Sequence, residues 1–522
     1  MTNFIHIFDT TLRDGAQTNG VNFSMQDKIA IARLLDDFKI DFIEAGWPGV
    51  NTTDTEFFKN LPKLNHAKIV AFGMTKRFGK KDTTFENLLK TRAPIINVVG
   101  KTWDSHVSDV LNIKLEDNLK SIDESIREIK LNGKEACFAA EHFFDGFKNN
   151  PDYALECIKT AFNAGARWIT LCDTNGGMMP DEIEPIIKQV IKVVPAENLG
   201  FHAHNDTGNA VANTLIAVKA GVRQINGTIN GLGERCGNAD LITVIPDLIL
   251  KMGYKTSITE DGLKKLTHIS HYLYEKLNIS AEKRQPYVGT SAFAHKGGLH
   301  VFAVNKNPKF YEHINPEKIG NVRHILVSEQ AGKSNISNLL KQFGIEIEDS
   351  DERVEHLLKL VKEKEKEGFT YDGAEASFEL MARKFLYGLP TFFKVDGFRV
   401  IDERRYNAKG VLKTLSDATV RITIQDKHMI EAADGCGPVD ALTRALFKAL
   451  LPTYPSLKTF RLFDYKVRIF ASERGTGAIT RVMIEAGDIK GKRWSTVGIS
   501  QDIIDASFQA LYDSIVYKLI RE

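Results

Sequence analysis

The sequence predicts an α/β chain in three parts: a (β/α)8 TIM barrel over 1–265, a helical linker region over 266–389, and a C-terminal α+β regulatory domain over 390–522. Three observations predict it. Eight short apolar runs alternate with amphipathic stretches through the first half of the chain, the number and length that eight strand–helix units need. The alternation stops near Lys255, where helices with long connections begin. Strands return after Pro390, in two segments that look alike. An open doubly wound sheet would give the same alternation, but no GxGxxG follows the first strand.

The strands of the barrel are expected at Phe4–Thr10, Phe42–Trp47, Ile69–Met74, Ile95–Val99, Ala136–His142, Trp168–Asp173, Leu199–Asn205 and Gln224–Asn230. Each is short and apolar or β-branched, and polar or Gly-rich residues follow it. The helices fit Gln26–Phe38, Leu115–Leu131, Pro151–Ala164, Pro180–Val194, Gly208–Ala220 and Ala239–Met252. Ser24 stands before the first, with Asp27 three residues on, as in a capping box. In the middle region the run VKEKEKEG at Val361–Gly368 reads as the solvated part of a helix. In the tail, Thr419–Leu450 and Thr480–Leu519 each read as two strands, a turn and an amphipathic helix, which suggests an internal duplication. Such a tail suits regulation or assembly better than a second catalytic centre. Its Gly-rich stretches, Gly435–Gly437 and Gly475–Gly477, could be ordinary turns.

Composition removes several function classes. Lys and Arg total 69 against 67 Asp and Glu, a net charge of +2, which gives no global electrostatic case for a nucleic-acid partner. No stretch approaches the roughly 20 apolar residues of a membrane span. Met1 to Leu12 carries no secretory signal. The five cysteines, Cys137, Cys157, Cys172, Cys236 and Cys436, are scattered without a CxxC pair, so reduced thiols in a cytoplasmic protein are expected.

Barrel chemistry sits at the C-terminal ends of strands. There the sequence places Arg13 and Asp14, Glu44, Glu141, Asp173 and Thr174, His202 and His204, and the stretch Glu234–Asn238. His202 and His204 stand two apart on a strand and therefore share a face. With Asp14 they make two nitrogens and a carboxylate, a donor set that suits a divalent ion with open positions. Arg13 could bind a substrate carboxylate, stabilise an oxyanion or pair with a neighbouring acid. Glu141 could equally be a surface charge. His295 and His300 lie beyond the barrel, where either could be a surface histidine. Cys236 reads as a bystander in a glycine-rich turn.

Together these residues resemble the α-keto acid–acetyl-CoA condensing enzymes: the isopropylmalate, homocitrate and citramalate synthases. The resemblance runs end to end, on DTTLRDG (Asp9–Gly15), FHAHNDTG (Phe201–Gly208), GTINGLGERCGN (Gly227–Asn238), AHKGGLH (Ala294–His300) and YEHINPEKIG (Tyr311–Gly320). Within the group the chain is most similar to the citramalate branch, on DGAQTNGVNFS (Asp14–Ser24), EAGWPG (Glu44–Gly49), AEHFFDG (Ala140–Gly146) and GAEASFELM (Gly373–Met381). GPVDALTRAL (Gly437–Leu446), DYKVRI (Asp464–Ile469) and DASFQALYDSI (Asp505–Ile515) resemble the family's feedback domain.

The resemblance implies metal ligation by Asp14, His202, His204 and Asn238, with Mn²⁺, Mg²⁺, Co²⁺ and Zn²⁺ all open. It implies oxyanion stabilisation by Arg13 and contact of Thr174 with the keto acid carboxylate. Glu141 and His300 are the candidates for acid–base work, with Tyr311 beside His300. The implied substrates are pyruvate and acetyl-CoA, the implied effector isoleucine, and the implied assembly a homodimer. Isopropylmalate synthesis from 2-oxoisovalerate and homocitrate synthesis from 2-oxoglutarate remain as alternatives with the same chemistry. Lyases and carboxylases on the same barrel are disfavoured by the tail and by the absence of a biotin-carrier segment. An inactive scaffold is disfavoured by the intact ligand set.

Overall fold

Eight parallel strands close into a barrel in chain order, each bonded to the next and the eighth to the first. The computed structural model describes residues 3–277, 279–325, 333–348, 351–371, 373–406, 408–470, 478–488 and 492–521. The strands are β1 (His6–Asp9), β2 (Phe42–Glu44), β3 (Lys68–Met74), β4 (Ile95–Lys101), β5 (Glu135–Glu141), β6 (Trp168–Asp173), β7 (Leu199–Ala203) and β8 (Gln224–Gly227). Between them run α1 (Met25–Asp37), α2 (Thr52–Lys59), α3 (Thr83–Leu89), α4 (Leu115–Leu131), α5 (Phe143–Asn149), α6 (Pro151–Ala164), α7 (Pro180–Val190) and α8 (Ala210–Ala220), with α9 (Leu241–Pro246) after β8. The expected fold class is therefore observed. The helices α2, α3 and α5 are additions to the expected set.

Local chemistry explains the boundaries. Ser24 and Asp27 form the reciprocal capping box of α1. Asn150 caps α6, Pro151 opens it, and Gly165 ends it in a left-handed conformation at φ 102°. The expected strand Ala136–His142 stops one residue early, because His142 turns the chain into α5 at φ 54°.

Phe8, Phe42, Val70, Ile95, Cys137 and Trp168 pack together inside the barrel, all buried. A larger core lies between strands and helices, with Ile7, Ile43, Phe138 and Ile225 on the strand side. The apolar plug fills one end of the barrel. The polar residues that the sequence places after the strands gather at the other.

The chain divides into two compact units, Met1–Phe293 with Ile314–Val322, and Ala294–His313 with Arg323–Glu522. The first includes α10 (Leu266–Lys276). The second contains β9 (Ala294–His295), α11 (Gly298–Lys306), β10 (His324–Ile325), α12 (Lys333–Gln342), α13 (Glu352–Lys366) and α14 (Glu375–Tyr387). Two repeated modules follow: β11 (Lys394–Tyr406), β12 (Leu412–Ile424), β13 (Lys427–Gly435) and α15 (Pro438–Leu450), then β14 (Phe460–Phe470), β15 (Ile479–Asp488), β16 (Arg493–Ser500) and α16 (Ile503–Ile520). Each module is a three-stranded antiparallel sheet with one helix, and both helices share a core with β12 and β15. The duplication expected from sequence is present, with one more strand per module. The Gly475–Gly477 stretch lies outside the described residues.

Candidate metal centre and active site

The loop after β1 is built to aim two side chains. The amides of Arg13, Asp14 and Gly15 all donate to Thr10 O, at 3.1, 2.9 and 3.1 Å. Asp9 accepts from the Thr11 amide at 3.0 Å and from its hydroxyl at 2.7 Å. The Thr11 hydroxyl oxygen in turn accepts from Ile229 N–H at 2.9 Å, which fastens this loop to the one after β8.

That second loop comes alongside the end of β7. Ala239 N–H donates to Ala203 O at 3.0 Å, and Asn205 N–H donates to Gly237 O at 2.9 Å. His204 has left the strand ladder and bridges to Asn238. Two glycines make this approach possible. Gly237 sits at φ 85°, and a Cβ there would lie 2.0 Å from Gly231 O. A Cβ on Gly233 would lie 2.1 Å from the Asn238 amide nitrogen. The stretch GLGERCGN is thus more than a turn, because it carries Asn238 to the histidines.

Asp14, His202 and His204 converge, each offering a donor atom within 4.8 Å of the others. His202 Nε2 lies 3.4 Å and His204 Nε2 3.9 Å from Asp14 Oδ2. All three are buried. Burial lowers the pKa of both imidazoles, His204 to about 4, and so favours the neutral form that ligates metal. Burial alone would raise the Asp14 pKa, but Arg13 and the two histidines hold it below the usual carboxylate range. The imidazole of His202 places Nδ1 3.2 Å from Asn226 Oδ1, a bond that fixes Nδ1 as the donor and leaves the Nε2 lone pair free. Asn238 donates from Nδ2 to Leu232 O at 2.9 Å, while its buried Oδ1 has no protein partner. An orphaned amide oxygen beside two imidazoles and a carboxylate fits a divalent ion.

Arg13 is held from the neighbouring strand. Its Nε donates to Glu44 Oε1 at 2.6 Å, and Asn97 Nδ2 donates to Glu44 Oε2 at 2.7 Å. The guanidinium also lies 4.2 Å from the Phe72 ring centroid. Burial opposes its charge, yet Glu44 and Asp14 hold the arginine more firmly protonated than usual. Thr174 accepts at its hydroxyl oxygen from His142 N–H at 2.8 Å, so its own O–H proton is available to another acceptor. Glu141 ends β5 and pairs with Lys101. Arg13, Asp14, Lys101, Glu141, Thr174 and the two histidines of the cluster line a cavity of about 670 Å³ at the barrel mouth, a size that suits a small-molecule site.

In the second unit, the His300 ring stacks on Tyr311 at 4.3 Å between centroids. His295 is different. It is buried and lies 3.1 Å from Glu312, which also binds Arg323. That is a structural pairing, and it separates the two histidines that the sequence leaves alike.

The sequence alone gives no role to Glu44 and does not single out Asn97, Lys101 or Asn226. A lone Asn or Lys inside the apolar runs IINVVGK and QING is the available signal. Cys172 is buried in the cavity wall and Cys236 is exposed; among the described residues no cysteine forms a disulfide.

Three family models match the chain: HMGL-like over residues 4–271, the homocitrate synthase post-HMGL domain-like region over 287–368, and the LeuA allosteric (dimerisation) domain over 372–519. The chain is 49% identical to the (R)-citramalate synthase of Aquifex aeolicus, over 100% of this chain and 99% of the relative. It is 48% identical to that of Geobacter sulfurreducens, over 99% and 98%. It is 44% identical to that of a Synechocystis strain, over 98% and 96%.

Proposed function

The chain belongs to the (R)-citramalate synthase family of HMGL-like barrel enzymes, and from that premise we propose that it condenses pyruvate with acetyl-CoA and water to give (R)-citramalate and CoA. One observation carries the reading beyond the family: Asp14, His202 and His204 converge at the barrel mouth, with Arg13 beside Asp14.

Asp14, His202, His204 and Asn238 would hold a divalent ion, Mn²⁺, Mg²⁺, Co²⁺ or Zn²⁺, whose chemistry there is Lewis-acid polarisation of the keto carbonyl. Arg13, braced by Glu44, offers its remaining N–H donors where negative charge develops on the keto oxygen. Thr174 donates its hydroxyl proton to the keto acid carboxylate. Glu141, or His300 with Tyr311 stacked on it, takes a methyl proton from the acetyl group. The resulting carbanion equivalent attacks the keto carbon, and hydrolysis of the thioester then releases CoA. The barrel is the catalytic part in this scheme. We assign end-product control, with isoleucine as effector, to the C-terminal modules, and homodimer formation to the segment matching the dimerisation model. We place the enzyme in the cytoplasm; among the described residues no helix is long and apolar enough to cross a membrane.

The test is CoA release from acetyl-CoA, read with a thiol reagent, with pyruvate, 2-oxobutyrate, 2-oxoisovalerate and 2-oxoglutarate supplied separately. Preference for pyruvate is expected. Preference for 2-oxoisovalerate would keep the chemistry and move the product to isopropylmalate. No release with any of the four overturns the reading. Inhibition by added isoleucine tests the effector.

A further inference from the structure

The barrel mouth holds an ion pair of which the scheme above uses only one member, Glu141. Lys101 ends β4 and Glu141 ends β5, and the two are register partners across the parallel pair. Lys101 Nζ is bound to Glu141 Oε2, with the side chains 14% and 25% exposed. Along β4, Asn97, Val99 and Lys101 stand two residues apart and so share a side. All three line the main cavity.

The backbones beneath the pair are fastened. Asn118 Nδ2 donates to Lys101 O at 2.9 Å, and the Thr102 hydroxyl donates to Glu141 O at 2.7 Å. Only the two heads are left to move. Among the described residues no other side chain binds the Glu141 carboxylate, so one of its oxygens is held by Lys101 and the other has no protein donor.

The pair also stands between two spaces. A second cavity of about 280 Å³ has Leu88, Leu111 and Ile113 in its wall. It shares Met74, Val99, Lys101 and Glu141 with the main one. A glutamate without an anchor here would have three torsions to sample, in a cavity whose wall also holds the Arg13 guanidinium.

We propose that Lys101 is a positioning residue, which pins Glu141 by one oxygen to the partition between the two cavities and leaves the other oxygen for the acetyl group. The inference rests on the role given to Glu141 in the proposed function. Misplacing a reacting group by about 1 Å can cost on the order of 100-fold in rate, and that sets the expected effect.

The experiment compares wild type, Lys101→Met, Lys101→Arg, Glu141→Gln and the Lys101→Met/Glu141→Gln double variant. It reads kcat and the KM of each substrate by CoA release, with melting curves for folding. Lys101→Met should lower kcat by about 10–100-fold and change the keto acid KM by less than about threefold. Lys101→Arg should recover most of the loss. In the Glu141→Gln background, Lys101→Met should cost nothing further, since its partner is gone. Lys101→Gln replaces Lys101→Met if the latter does not fold. Additive losses, an arginine variant no better than methionine, or an unchanged kcat would overturn the positioning role. Wild-type protein inactive with every keto acid would overturn the proposed function instead, so the two failures are distinguishable.

Discussion

Replacing Glu44 by Gln isolates the charge that braces Arg13. The Glu44 carboxylate is fully buried and accepts from two donors, Arg13 Nε at 2.6 Å and Asn97 Nδ2 at 2.7 Å. A glutamine has one acceptor oxygen and an NH₂ group, so its NH₂ would confront one of those donors. Asn97 supplies the escape. Its own Oδ1 is buried without a partner. A flip of the Asn97 amide lets that oxygen accept from the introduced NH₂, while the introduced amide oxygen accepts from Arg13. The hydrogen bonds survive and the charge does not. Arg13 stays ionised, but replacing the ionised acceptor by a neutral one at the Arg13 and Asn97 bonds together loses about 2–3 kcal/mol. Arg13 then keeps Asp14, 3.5 Å away, as its acid. The total loss should be about 2–3 kcal/mol, below the ~3–5 kcal/mol of breaking a buried pair outright with Glu44→Ala. Melting should fall by about 4–12 °C, at ~2–4 °C per kcal/mol for a domain this large. The rate should fall about tenfold for Glu44→Gln and about 100-fold for Glu44→Ala, since a stray Arg13 acts as a lost oxyanion donor. The assays are differential scanning calorimetry and CoA release on the same samples. A Glu44→Gln variant with wild-type melting and wild-type kcat would refute the argument, because Arg13 would then need no brace.

Three further outcomes are expected. His202→Ala should lose bound divalent ion and activity together, by elemental analysis after dialysis; stoichiometric ion in a folded variant would remove His202 from the ligand set. Asn226→Ala frees His202 Nδ1 and should weaken Mn²⁺ binding about 10–100-fold with the fold intact; equal affinity in a direct titration would show that the bond does not orient the ring. Asp513 gives a pH test in the C-terminal unit. Burial raises its pKa to about 6, although the Ser377 hydroxyl donates to it at 2.8 Å. A carboxyl whose folded pKa lies above the unfolded value of 3.8 stabilises fully below about pH 4, and that contribution is lost as pH rises through 6. Asp513→Asn should therefore gain up to about 3 kcal/mol over wild type at pH 8 and lose that advantage by pH 4, and parallel melting curves at the two pH values would exclude the effect.

Much of this fold is legible in the sequence because punctuation and periodicity agree. Trp168–Asp173, Leu115–Leu131 and Pro151–Ala164 have the bounds that the sequence predicts, because residues such as Asn150, Pro151 and Gly165 mark ends chemically. The short helices α2, α3 and α5 are not legible. At 7 or 8 residues each spans about two turns, too few to establish a period. In α5 the run Phe143–Phe144 also looks like a continuation of the strand before it. The extra strands β11 and β14 escape for another reason. Residues 401–406 of β11 are exposed along their whole length, and a stretch with no buried face writes no alternation into its sequence.

The site shows the same division more sharply. Asp14, His202 and His204 can be grouped because the expected strand Leu199–Asn205 sets both histidines on one face; in the structure β7 ends at Ala203, so His202 lies on the strand, His204 just past it, and the loop after β1 brings in Asp14. Arg13 and Glu44 are 31 residues apart, and Arg235 and Asp206 are 29 apart. Nothing in either local sequence pairs them. In the folded chain these cations at the mouth are each tied to an acid from a neighbouring strand, helix or loop: Arg13 to Glu44, Lys101 to Glu141, Lys28 to Asp54, Arg235 to Asp206. This ring of pairs has a chemical consequence. An untied arginine or lysine would compete with a divalent ion for Asp14, and an untied glutamate would compete with substrate for the ion. With the other charges paired around the rim, Asp14 is left to Arg13 and the two histidines, and Glu44 fixes the position of Arg13. The two candidate histidines can be read from their spacing, whereas the charge environment around Asp14 is created only when the barrel closes.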